Sequence, residues 1–219
     1  MDKKELQNPA LYTNRELSWL LFNKRVLSEA RDKQLLLFER LKFLSITASN
    51  LDEFFMVRIG SLVDMIPAEY TKKDIAGMPA KEQLDALMEE THKFAALQYS
   101  TYNRMLLPQL RANGLNFVEH HEQLTERQAQ YVDEYFEENV YPVLTPMAVD
   151  SSRPFPLIRN KTLNIGALVA KKGEKDTEIE FATVQVPSVL PRVVRIPAAK
   201  EGDTEVAVLL LEEIIERNI

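Results

Sequence analysis

The sequence predicts an α+β protein: an antiparallel helical bundle at the N-terminus, followed by a truncated mixed α/β head domain. Three observations predict it. Apolar residues recur at helical spacing up to about residue 107, strand-like runs rich in Val and Ile begin only after Gly114, and prolines crowd between 142 and 156. The boundary falls near residue 110, giving a helical domain over 1–110 and a head domain over 111–219 that is incomplete at its C-terminal end.

The elements follow in order. Asn14 or Thr13 caps a helix over 16–27, with Leu17, Leu20, Leu21 and Leu27 on one face and Trp19, Phe22 and Val26 widening it. A second helix covers about 36–46. Ser49 or Asn50 then caps a third, with Asp52 or Glu53 closing a capping box, and that helix runs to Ile66 before Pro67. Pro79 opens a long fourth helix over 80–107, with Leu84, Leu87, His92, Ala95, Ala96, Tyr99, Tyr102 and Leu106 facing inward; Pro108 and Asn113-Gly114 stop it. A short strand at 115–118 precedes a helix capped by Thr125. The proline-rich stretch is extended or turning, and strands follow at 163–170, 179–186, 192–196 and 206–210. A last helix begins at Leu211 and meets no glycine or proline, which reads as a cut inside a larger domain.

Composition narrows the function. No apolar run reaches the roughly 18 residues of a membrane span, and the charged first residues do not make a secretion signal. Absence of Cys excludes disulfides, thiol catalysis and cysteine-bound zinc, and fits a cytoplasmic protein. The net charge of −6 argues against a nucleic-acid partner. Residues 14–60 nonetheless hold eight basic against six acidic side chains, a mild excess that tolerates a phosphorylated ligand.

Neither glycine-rich phosphate loop occurs, because all six glycines are isolated. His120-His121-Glu122 reads as a solvated loop, since adjacent side chains seldom converge on one metal. Glu89-x-x-His92 is half of a di-iron motif whose other half is missing. No nucleophile elbow is present, so the inventory names no catalytic residue and no metal ligand.

Three blocks carry a resemblance. Asn14-Arg15-Glu16-Leu17-Ser18-Trp19 through Leu27, Glu39-Arg40-Leu41-Lys42-Phe43-Leu44, and Ser49-Asn50-Leu51-Asp52-Glu53-Phe54-Phe55-Met56-Val57-Arg58 form the first. Tyr141-Pro142-Val143-Leu144-Thr145-Pro146-Met147-Ala148-Val149-Asp150 through Arg153-Pro154-Phe155-Pro156 form the second, and Val186-Pro187-Ser188-Val189-Leu190-Pro191-Arg192 the third. Together they resemble the N-terminal and head domains of bacterial polyphosphate kinase of the large, histidine-phosphorylated family. The resemblance implies a magnesium-dependent, cytoplasmic phosphotransferase that moves phosphate between ATP/ADP and inorganic polyphosphate through a phosphohistidine, as a homo-oligomer. It also implies that the phosphorylated histidine and the magnesium belong to C-terminal domains outside these residues, so that the 219 residues alone are inactive. His92, His120 and His121 match no catalytic position.

One contact carries over from the resemblance. The asparagine opening Asn-Leu-Asp-Glu-Phe is an ATP-binding position in the family, and here it is Asn50. Spacing alone favours Asn50 as a helix cap; the resemblance favours a carboxamide matched to the donor–acceptor edge of adenine. Phe54, Phe55 and Trp19 are core candidates by spacing and wall candidates for a base. Arg58, Arg40 and Lys42 face either a polyanion or, more simply, Glu39 and Asp52 in exposed ion pairs. Ser151, Arg153, Leu157 and Arg159 depart from the family's usual residues in the head-domain loop. The alternative is a non-catalytic dimerisation module or a phosphate-binding regulatory module.

Overall fold

The computed structural model describes residues 5–149, 155–170 and 179–219. Asp150, Ser151, Arg153 and Pro154 of the second sequence block lie outside the described residues. The chain divides into two compact units, Met1–Leu110 and Arg111–Ile219.

The first unit holds three continuous helical rods, where the sequence reading counted four helices. Rod one is α1 (Arg15–Arg31), capped by Asn14, whose side chain accepts from the Glu16 and Leu17 amides. Rod two is α2 (Leu37–Phe54), which passes through a π turn at Phe55–Ile59 into α3 (Gly60–Met65). The expected break at Ser49-Asn50 does not exist. No glycine or proline lies between Leu36 and Phe55 to force one, and cap-forming residues are only mildly unfavourable inside a helix held by packing.

Rod three is α4 (Ala80–Thr101), a π turn at Tyr102–Leu106, and α5 (Leu107–Ala112). Pro108 therefore does not end the helix. A proline lacks the amide hydrogen and collides with the carbonyl four residues back. The wider turn, with the Leu107 amide bonding to Tyr102 instead, accommodates it. The rod ends at Gly114, whose φ of +79° is the left-handed conformation that a glycine adopts at low cost.

The rods run up, down and up. Asn23 meets Thr47, Gln98 meets Thr47, and Arg31 meets Thr101, so rods one and three are parallel to each other and antiparallel to rod two. Leu20, Phe54, Ile59, Leu62 and Leu87 make one apolar cluster, and Leu27, Ala30 and Phe94 a second. On α4 the buried row is Gln83, Leu87, Thr91, Phe94 and Thr101. His92 and Tyr99, expected inside, are exposed. Counting only apolar residues rotates the helix, because part of its inner face is Gln and Thr.

Among the described residues the second unit contains two three-stranded sheets. β1 (Leu115–Val118) pairs in parallel with β6 (Val206–Leu210), which also pairs antiparallel with β5 (Val193–Ile196). β2 (Met147–Val149), β4 (Glu180–Gln185) and β3 (Asn164–Val169) form the other sheet, antiparallel throughout. α6 (Glu126–Tyr135) starts on Thr125 with the reciprocal Thr125–Gln128 capping box. α7 (Leu211–Asn218) follows β6 directly. Leu211, Ile214 and Ile215 of α7 are fully buried against Val132, Phe136 and Leu209. Arg217 donates to both Asp133 carboxylate oxygens at 2.7 and 3.0 Å, tying α7 to α6 and holding that carboxyl below the usual range.

Candidate functional site

Asn50 lies in the interior of α2, half-buried and facing α1, so it has no capping duty. Its surroundings set which way its carboxamide points. The backbone carbonyl of Thr47 can only accept, so the buried Asn23 must present its Nδ2 there, at 3.1 Å. The Asn23 Oδ1 consequently faces Asn50 and accepts from the Asn50 Nδ2 at 3.0 Å. Gln98 completes the ladder by donating to the Thr47 hydroxyl at 2.9 Å, and that hydroxyl donates to the Leu44 carbonyl at 2.7 Å. Three rods thus share one polar network. Among the described residues the Asn50 carbonyl oxygen and second N–H have no hydrogen-bond partner, leaving a donor beside an acceptor held in a fixed orientation.

The aromatic candidates pack on one another. Phe54 is buried in the core and stacks on Trp19, with ring centroids 4.4 Å apart and planes 7° from parallel; Phe55 meets Phe54 edge-on at 6.4 Å. These rings hold rods one and two together.

The basic candidates divide three ways. Arg40, expected at the surface, is 2% exposed. Its Nε donates to the Ala30 carbonyl at 3.1 Å, in the last turn of α1, and one Nη donates to Gln109 at 2.9 Å. A cation is favoured at that helix end, where carbonyls lack helical partners. Lys42 is an exposed partner of Glu39 at 3.4 Å. Arg58 lies two turns beyond Asn50 on rod two, about 12 Å along the axis. It lines a groove of about 420 Å³ with Arg15, Lys72 and Lys73, where Glu16 pairs with Arg15 at 2.7 Å and approaches Arg58 at 3.9 Å. Sequence reading missed the two lysines because they lie in the connecting segment, distant in sequence from the other two.

In the second unit His121 lies against α7, beside Glu213 and Glu216. His120 is exposed. Leu157 and Arg159, which depart from the family pattern, are also exposed.

Comparison with known proteins places this geometry. Residues 12–118 match the family model described as the polyphosphate kinase N-terminal domain. Residues 127–219 match the polyphosphate kinase middle domain. The chain belongs to the polyphosphate kinase family. A polyphosphate kinase of Lactiplantibacillus plantarum is 51% identical over 205 residues, covering 94% of this chain and 28% of the relative. One from Halalkalibacterium halodurans is 45% identical over 212 residues, covering 96% of this chain and 29% of the relative. The crystal structure of polyphosphate kinase from Porphyromonas gingivalis superposes with a TM-score of 0.80 at 30% identity, over 94% of this chain and 30% of that one. The chain therefore spans less than a third of the length of the relatives it matches. Among the described residues no helix is long and apolar enough to cross a membrane.

Proposed function

We propose that this chain is the base-holding and assembly portion of an ATP:polyphosphate phosphotransferase, in which Asn50 reads the adenine edge and residues outside these 219 make and break the phosphate bonds. The observation that carries the reading is the position of Asn50: a carboxamide inside a helix, relieved of capping and oriented by a buried partner. Its oxygen accepts from the adenine amino group while its free N–H donates to the neighbouring ring nitrogen. The groove lined by Arg15, Lys72, Lys73 and Arg58, the last further along the same rod, supplies positive charge suited to a phosphate chain.

Transfer through a phosphohistidine needs a histidine within reach of the terminal phosphate. His92 is exposed on α4 and His121 is engaged with α7, so neither is assigned that part. The magnesium that such a reaction uses is not assigned to this chain either. The group that could gather a cation among the described residues includes an imidazole, whereas magnesium favours oxygen donors in an octahedron. Incubating the chain with radiolabelled ATP and magnesium is expected to leave no acid-labile label on the protein; stoichiometric acid-labile labelling would overturn this division of labour.

The second unit favours self-association as well. Leu168 on β3, Ile179 and Val189 are exposed large apolar side chains, at 75%, 69% and 80%. Sedimentation of the chain is expected to show a concentration-dependent dimer, and a strict monomer at high concentration argues against the assembly part.

A further inference from the structure

The ends of β1 and β6 bring together a donor set that the base-holding reading does not use. The two strands are parallel neighbours, with Val118 opposite Leu209. The turn after β1, His121–Gln123, therefore lies beside the start of α7, which follows β6. Glu213 and Glu216, one helical turn apart, face this turn together.

The hydrogen bonds around His121 leave one ring nitrogen without a partner among the described residues. Its backbone N–H donates to the Glu213 carboxylate at 3.0 Å, fixing that carboxylate against the ring. Its Nε2 lies 3.5 Å from the Glu122 carboxylate. Nδ1 lies 3.4 Å from Glu213 Oε2 without a hydrogen bond to it. That nitrogen is buried and has no hydrogen-bond partner among the described residues. His120 Nδ1 also stands 3.6 Å from the other Glu213 oxygen.

A cation resolves this arrangement. We propose that His121 Nδ1, Glu213 and Glu216 form a divalent-cation site for an ion of the zinc or manganese class, clamping the turn after β1 to α7. The three ligand atoms lie within 4.8 Å of one another. Bonds of about 2.0–2.2 Å at tetrahedral angles place zinc ligands about 3.4 Å apart, so side-chain adjustments of about 1.4 Å close the site. One imidazole with two carboxylates suits a borderline ion and leaves positions for water. The Glu122–His121 contact is the outer carboxylate that ligating histidines commonly carry. This site is independent of Asn50.

The test uses the full 219-residue chain, stripped with chelator and titrated with Zn2+ by calorimetry and with Co2+ by visible absorption. One ion per chain is expected, together with a rise in Tm on loading. Glu216 is exposed, so Glu216→Gln leaves the fold intact and is expected to weaken binding at least tenfold. His121→Gln is expected to abolish the Co2+ ligand-field bands, while His92→Gln leaves binding unchanged. Absence of stoichiometric binding overturns the site, as does binding that survives unaltered in both Glu216→Gln and His121→Gln.

Discussion

Asn23→Asp is expected to destabilise the helical unit by about 4 kcal/mol at neutral pH, the cost of about three units of upward pKa shift in a buried carboxyl. Asn23 is fully buried and donates to the Thr47 carbonyl. A carboxylate there sets oxygen against oxygen and strands a charge where no described cation pairs with it. The group therefore folds protonated, with its pKa raised well above the unfolded value of about 3.9. The folded state then binds more protons than the unfolded state between the two values, so the stability of this variant falls as pH rises through that window. Urea unfolding at pH 7 and at about pH 4.5 checks the sign: the deficit relative to the parent is expected to shrink at the lower pH. A variant as stable as the parent at pH 7 would remove Asn23 from the network.

Arg40→Ala is expected to cost about 3 kcal/mol, combining a cavity with the loss of a donor to one buried carbonyl and one half-buried side chain. The acceptors are the Ala30 carbonyl and the Gln109 side chain. Arg40→Met separates the two contributions. It keeps the stem and removes a buried charge, one of whose Nη atoms has no partner among the described residues. It is expected to recover at least half of the loss. A fall in Tm of roughly 12 °C or more for the alanine variant, at about 4–8 °C per kcal/mol for a unit of this size, is the readout. Equal losses for both variants would show that the hydrogen bonds outweigh the packing entirely.

Both residues show where the sequence was legible and where it was not. The helix starts at Asn14 and Thr125 could be read because a cap is a local device, one side chain bonding amides two or three residues on. The boundaries of β3 to β6 could be read within a residue or two from β-branched runs. Ser49-Asn50 misled the reading because the same residues that cap a helix also sit inside one when a second rod supplies their partner. That partner, Asn23, is 27 positions away. Arg40 misled it in the same way: only the tertiary fold places the end of α1 and Gln109 around it. The parallel pairing of β1 with β6, separated by some 90 residues, carries no local signal. For the same reason the gathering of His121 with Glu213 and Glu216 was invisible, although the adjacent histidines themselves stood out.

Asn50 is proposed from its motif, and the fold adds what the motif lacked, a reason for its orientation. It stands at the surface end of the ladder and lines none of the cavities described above, so it offers an edge contact rather than an enclosing pocket. That accounts for an expected weak affinity of the isolated chain for ATP.

The most direct measurement is steady-state kinetics of the intact enzyme carrying Asn50→Ala. The substitution exchanges the lost contact to Asn23 against the better helix propensity of alanine, so stability stays within about 1 kcal/mol of the parent. Loss of a bidentate base contact of about 1.4–2.8 kcal/mol corresponds to a rise in the KM for ATP of about 10- to 100-fold, with kcat changed less than about threefold. A folded variant whose KM for ATP equals that of the parent would contradict the account.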